Sequence, residues 1–255
     1  MSKIAHLDST ASPRARSDYG VWSLSGYWWQ IYLIPLTMAL AAYCIAVYDT
    51  WLTHPDRLAF VSGDLIRITR LCELFAHGFG VFVVAFGIYS LAPASRALIP
   101  RIVASAFWPG MVAHFLKIQF ARIRPICYFD AESQVSFPSD VTTTWLGWFH
   151  GDKFNTFYSY QSFPSAHTAT VFGLAVGLSW AFPRGKYLFI SIATLASIQR
   201  VVEYAHWPSD VLAGAAVGIL CAGALQQNWG LGWLLGRLET RMKTKVVGSP
   251  SDQLV

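Results

Sequence analysis

The sequence predicts an all-α integral membrane protein: a six-transmembrane helical bundle with ionisable residues gathered at its outer helix ends. Three observations predict it. Hydrophobic residues make up 54% of the 255 and charged residues 13%, about half the ~25% charge of a soluble globular protein. The mean hydropathy is +0.40. The apolar residues also fall into runs near the roughly 20 residues that a membrane crossing needs. Together these exclude a disordered chain, a collagen-like chain and an ordinary cytosolic domain.

The first expected span, Tyr27 to Tyr48, contains no charged residue. Ala39-Leu40-Ala41 fits a signal cleavage pattern, but the 26 residues ahead of the run are too long and too acidic for a typical leader. The second span runs from Leu71 to Leu91, with Glu73 at its edge and His77 within. The third runs from Leu98 to Phe120, bounded by Arg101 and Lys117, which can snorkel to the interfaces. The fourth, fifth and sixth cover Ser165–Phe182, Lys186–Ala205 and Ser209–Leu225. The expected organisation is therefore a cytoplasmic segment at 1–26, a membrane domain at 27–235 and a disordered cytoplasmic tail at 236–255.

Six spans place both termini on one side, and charge selects the side. Residues 1–26, the 92–101 and 183–186 turns and the tail from 226 hold eleven Lys and Arg against four acids. The opposite side holds eight basic residues against ten acids. The positive-inside rule then puts both termini in the cytoplasm of a plasma (inner) membrane protein. The 121–163 loop and the 200–210 turn face outward, or into the lumen in a eukaryotic cell. Within that loop, Trp145, Leu146, Trp148 and Phe149 suit either a short helix in the headgroup layer or a plain aromatic belt.

The net charge of +5 does not imply a nucleic-acid partner, because the basic residues lie between apolar runs and form no single patch. Cys44, Cys72, Cys127 and Cys221 are scattered without metal-ligand spacing and support neither a disulfide framework nor a zinc site. The bilayer is the partner that composition implies, and the oligomeric state stays open.

Ionisable residues in or beside apolar spans are costly and default to a functional reading. Here they gather at one membrane face. Lys117 and Arg124 are seven residues apart, which on a continuous helix brings them within about 20° of one face, with Pro125 stopping the helix. Pro164-Ser165-Ala166-His167 opens the fourth span, where free backbone N–H groups make an anion site. Arg200 ends the fifth span, and His206 and Asp210 flank the start of the sixth. Three cations and a helix N-terminus suit a phosphoryl group. A histidine held by an aspartate suits a nucleophile, and a second histidine suits proton transfer.

The strings Lys117-x6-Arg124-Pro125, Pro164-Ser165-Ala166-His167 and Arg200-x5-His206-x3-Asp210 resemble the three signature motifs of the type 2 phosphatidic acid phosphatase superfamily. That superfamily of lipid phosphatases shares its site with glucose-6-phosphatase and the vanadium haloperoxidases. The resemblance covers 117–210 by motif. Two positions depart from the usual pattern: Ala166 stands where the family generally has Gly, and Gln199 where it generally has Ser before the arginine. The resemblance implies that His206 attacks phosphorus, that Asp210 orients its ring, and that His167 protonates the leaving oxygen and then activates water. It implies that Lys117, Arg124, Ser165, Ala166 and Arg200 form the phosphate site, without metal or cofactor. The sequence likewise offers no carboxylate cluster suited to Mg²⁺.

Other polar residues have plainer readings. Arg200 alone could pair with Glu203; His77 and His114 could pack or hydrogen-bond between helices. Arg122 would point about 160° away from Arg124 on a helix, towards solvent or headgroups. Phe137-Pro138-Ser139-Asp140 imitates the second motif without its histidine. The leading expectation is a lipid phosphatase acting on a phosphate or pyrophosphate monoester whose tail lies in the bilayer. The alternatives are a lipid phosphotransferase using the same intermediate, a vanadium haloperoxidase, or a catalytically silent lipid-binding or transport protein.

Overall fold

The computed structural model describes residues 28–129, 144–148, 157–227 and 229–247. The 1–26 segment, most of the outer loop with its Phe137–Asp140 string, and residues 248–255 lie outside the described residues. In chain order the helices are α1 (Trp28–Ile45), α2 (Asp49–Leu52), α3 (Pro55–Leu58), α4 (Gly63–Glu73), α5 (Gly78–Leu91), α6 (Ile99–Gln119), α7 (Pro125–Phe129), α8 (Phe157–Tyr160), α9 (Ala166–Ala181), α10 (Lys186–Val202), α11 (Pro208–Leu225) and α12 (Gly230–Val247). Two short strands, β1 (Phe120–Arg122) and β2 (Trp145–Trp148), lie between α6 and α8.

Helices α6, α9 and α11 pack against one another at the centre, with α10 on α9, α1 on α11, and α4 on α10. Their contacts are made by small side chains: Ala106, Ala113, Ala169, Ala193 and Ala222 are wholly buried. At Gly173 a Cβ would collide with the Ser105 carbonyl of α6, so this close crossing requires glycine. Large apolar side chains point outward instead: Tyr43 is 79% exposed and Leu91 86%. An apolar exterior over a small-residue interior is the inversion expected where lipid is the solvent.

By length and composition, Tyr32–Leu52 and Pro208–Leu225 qualify as spans among the described residues. The expected second span does not run straight. It is two helices, Gly63–Ala76 and Gly78–Leu91, bent by 74° where His77 is extended.

Two expectations about loops and tail are corrected. Trp145–Trp148 does not form the headgroup helix: it pairs antiparallel with β1, Phe120 opposite Trp148 and Arg122 opposite Trp145. Gly147 takes φ +106° within it, a conformation that breaks a helix and suits the irregular register there. The tail is also ordered beyond 236, as α12 to Val247. Glu239 docks it by pairing with buried Arg101, whose other donors reach the Leu225 and Gly232 carbonyls. A partner 138 residues away leaves no local signal. Because Arg101 is 3% exposed, Glu239→Gln should cost about 3 kcal/mol by stranding a buried charge. Thermal unfolding in detergent checks this.

Candidate active site

The sequence-selected residues converge at one end of the central helices. The C-terminal ends of α6 and α10 meet the N-terminal ends of α9 and α11, since these neighbours run antiparallel.

Each end has a local cause. Ser165 caps α9, its hydroxyl accepting from the Thr168 amide at 3.4 Å. Trp207 precedes Pro208 at the start of α11, and Asp210 Oδ2 accepts the Trp207 amide at 2.9 Å. The Ser165 amide donates to the Asp210 carbonyl at 3.0 Å, tying the two helix starts together. A Cβ at Gly214 would strike the Ser165 carbonyl, so glycine lets α11 approach α9 there.

Lys117 and Arg124 do not share a helical face. Helix α6 stops at Gln119, and the chain continues as strand β1, so rotation counted at 100° per residue ends there. The two cations meet by another route. Lys117 Nζ donates to the Gln161 carbonyl at 3.0 Å and Arg124 Nη2 to the same oxygen at 3.2 Å. Arg124 also donates to the Tyr158 and Ala205 carbonyls, both at 2.8 Å, and its Nη1 lies 3.5 Å from His206 Nε2.

His206 is 1% exposed. Its Nδ1 lies 3.7 Å from Asp210 Oδ2, beyond direct hydrogen-bond distance. Burial lowers the His206 pKa to about 3; Asp210 opposes that shift, and the Lys117 and Arg124 charges reinforce it. The imidazole is therefore neutral near pH 7, with a lone pair available. His167, on the first turn of α9, is half-buried, and its ring meets that of His77 edge-on at 4.8 Å.

Arg200 does not pair with Glu203. Its Nη1 donates to Glu73 Oε1 and, at 3.1 Å, to Gln199 Oε1, while its Nε is buried without a partner. Glu203 pairs instead with Arg70 at 2.7 Å. Gln199 thus packs its amide oxygen against the arginine that follows it. The methyl of Ala166 is taken up in a buried cluster with Ala113 and Ala169.

Two residues carry more of the site than their sequence positions indicated. Arg122, expected to face solvent, is wholly buried. Its Nη1 donates to Asp210 Oδ1 and, at 2.7 Å, to Ser209 Oγ; its Nη2 donates to Asp49 Oδ2 at 2.6 Å. Asp49, also buried, accepts the Ser209 amide at 3.1 Å. Ser162 Oγ donates to Asp210 Oδ2. Asp210 is thereby fixed from three sides, and the Arg122 guanidinium lies 4.4 Å from the Trp145 ring.

Glu73 is the second. Among the described residues, Glu73, His77 and His167 form one group of possible metal ligands, each with an atom within 4.8 Å of the others. Arg200 already donates to Glu73 Oε1, the oxygen that lies 3.5 Å from His77 Nε2.

A family model described as the PAP2 superfamily matches residues 100–232, just over half of the chain. The lipid A 1-phosphatase of Rhizobium etli is 31% identical over 117 residues, covering 46% of this chain and 44% of that protein. The lipid A 1-phosphatase of Rhizobium johnstonii is 33% identical over 109 residues, covering 43% and 38%. The match therefore spans less than half the length of these curated relatives. Among solved structures, Aquifex aeolicus LpxE aligns with a TM-score of 0.44 and 20% identity over 65% of this chain and 87% of that one. A phosphatidylglycerolphosphate phosphatase from Bacillus subtilis aligns at 0.45 and 16% identity over 76% and 92%.

Proposed function

Because the chain belongs to the PAP2 superfamily, we propose that it is a membrane lipid phosphatase that hydrolyses a lipid phosphate or pyrophosphate monoester through a phosphohistidine. The observation that supports it most is the setting of His206. A buried neutral imidazole lies between the carboxylate of Asp210 and the guanidinium of Arg124, with Lys117 sharing the Gln161 carbonyl.

In this reading Lys117, Arg124 and Arg200 bind the phosphate oxygens, with Ser165 and Ala166 at the start of α9 closing the site. His206 Nε2 attacks phosphorus in line as the bond to the lipid oxygen breaks. Asp210 holds the ring and stabilises the cation that forms; bonds of this kind are often long in an empty site and shorten with substrate. His167 gives its proton to the leaving oxygen. It then takes a proton from the water that attacks the phosphohistidine, which releases inorganic phosphate and frees His206.

The substrate's phosphate would reach this site at headgroup depth. All these side chains lie at one end of the helices, while Arg101, Arg96 and the Leu225 carbonyl lie at the other. Six spans, an outward-facing site and both termini in the cytoplasm remain part of the proposal, supported by the charge asymmetry between the two sides. The curated relatives make a lipid A 1-phosphate the first substrate to try.

The test is phosphate release by purified protein from lipid A, phosphatidate, phosphatidylglycerol phosphate and undecaprenyl pyrophosphate. At least one should be hydrolysed, with nearly full activity in excess EDTA and inhibition by orthovanadate, which mimics five-coordinate phosphorus. Activity lost in EDTA and restored by Mg²⁺ would sink the mechanism. Transfer of phosphate to a second lipid without release would favour the phosphotransferase.

A further inference from the structure

We infer that Glu73 is a built-in competitor for the phosphate site: its carboxylate occupies Arg200 when the site is free and is exchanged for the phosphate when substrate binds. This rests on the phosphate-binding role proposed for Arg200. It adds a residue that none of the three sequence motifs contains.

Carboxylate and phosphate are alternative ligands for the same guanidinium fork. Arg200 Nη1 donates to Glu73 Oε1, yet its Nε is buried with no partner, so the fork is only partly satisfied by what it now holds. Among the described residues, Glu73 is the carboxylate that pairs with one of the three proposed phosphate-binding cations. Asp210 is committed to Arg122, Ser162 and the Trp207 amide, and Lys117 and Arg124 donate to carbonyls.

The surroundings suit an exchange by side-chain movement. Glu73 is the last residue of α4, just before the 74° bend, and its side chain is 21% exposed, so it has room to rotate. His77 Nε2 lies 3.5 Å from the same oxygen and offers the displaced carboxylate another partner. The Arg70–Glu203 pair keeps α4 on the end of α10, so the helices need not separate. A fixed negative charge beside a phosphate dianion opposes its binding. Glu73 therefore weakens retention of the product anion and speeds turnover, at some loss of affinity for substrate.

The experiment measures inhibition by inorganic phosphate and orthovanadate for the full-length protein in detergent, alongside the rise in melting temperature that vanadate produces. Glu73→Gln keeps the shape and removes the charge. Its inhibition constants should fall about tenfold, with a lower KM for lipid phosphate and no gain in kcat. Asp64→Asn breaks an exposed ion pair with Arg67 on the same helix, outside the site, and should match the wild type in both constants. Unchanged or weaker anion binding in Glu73→Gln would overturn the inference and leave Glu73 as a strut for Arg200. Should that variant not fold, Glu73→Ser carries the same expectation. A wild type that hydrolyses no lipid phosphate defeats the functional reading instead; the vanadate melting shift still decides the role of Glu73.

Discussion

Replacing His206 with Ala should reduce phosphate release from a lipid phosphate by about 10⁴-fold or more, because the attacking atom is gone and water has no comparable position. Replacing His167 with Ala should also be severe on a lipid ester, about 10³-fold, since an alkoxide leaves poorly without a proton donor. The two variants separate on an aryl phosphate with an acidic phenol. Such a leaving group needs little protonation, so His167→Ala should still release the phenol once, while His206→Ala releases none. The geometry supports this division. His206 is 1% exposed between Arg124 and Asp210, a setting for a fixed nucleophile. His167 is half-buried beside His77, where a leaving group and then a water could reach it.

Arg122→Leu should be nearly as damaging, though Arg122 is placed to touch no substrate. Its guanidinium bridges Asp210 and Asp49, which are 0% and 1% exposed. Removing it strands two buried carboxylates, and the loss of a buried partner costs about 3–5 kcal/mol. The variant should melt well below the wild type in detergent and lose most of its kcat, because Asp210 would no longer be held towards His206. Arg122→Lys should recover only part of both, since an ammonium cannot fork between two carboxylates as a guanidinium does. A wild-type melting temperature in Arg122→Leu would show that Ser162 and the Trp207 amide hold Asp210 without it.

The contrast between Arg122 and the residues of the three motifs shows what the sequence could reveal. His206 and Asp210 sit four residues apart at a helix start signalled by Pro208, and Ser165 and His167 lie together at another. Local spacing was enough to bring each set together. Helical rotation cannot place Arg122, because the helix ends at Gln119 and the chain becomes a strand held by Trp145–Trp148. Glu73 reaches Arg200 across 127 residues only because α4 packs on α10 before the bend at His77. The order of α12 likewise depends on Arg101, far away in sequence. Long-range ion pairs between helices have no period to read, so these partners emerge only once the packing is known.

Phosphorylation of His206 is the step on which the proposed mechanism turns. The direct measurement is a rapid-mixing experiment on His167→Ala with an aryl phosphate, followed by quenching and mapping of any phosphoryl group. A phenol burst near one equivalent is expected, with acid-labile, base-stable phosphate on His206. A burst from His206→Ala but not from His167→Ala, with phosphate mapping to His167, would contradict it.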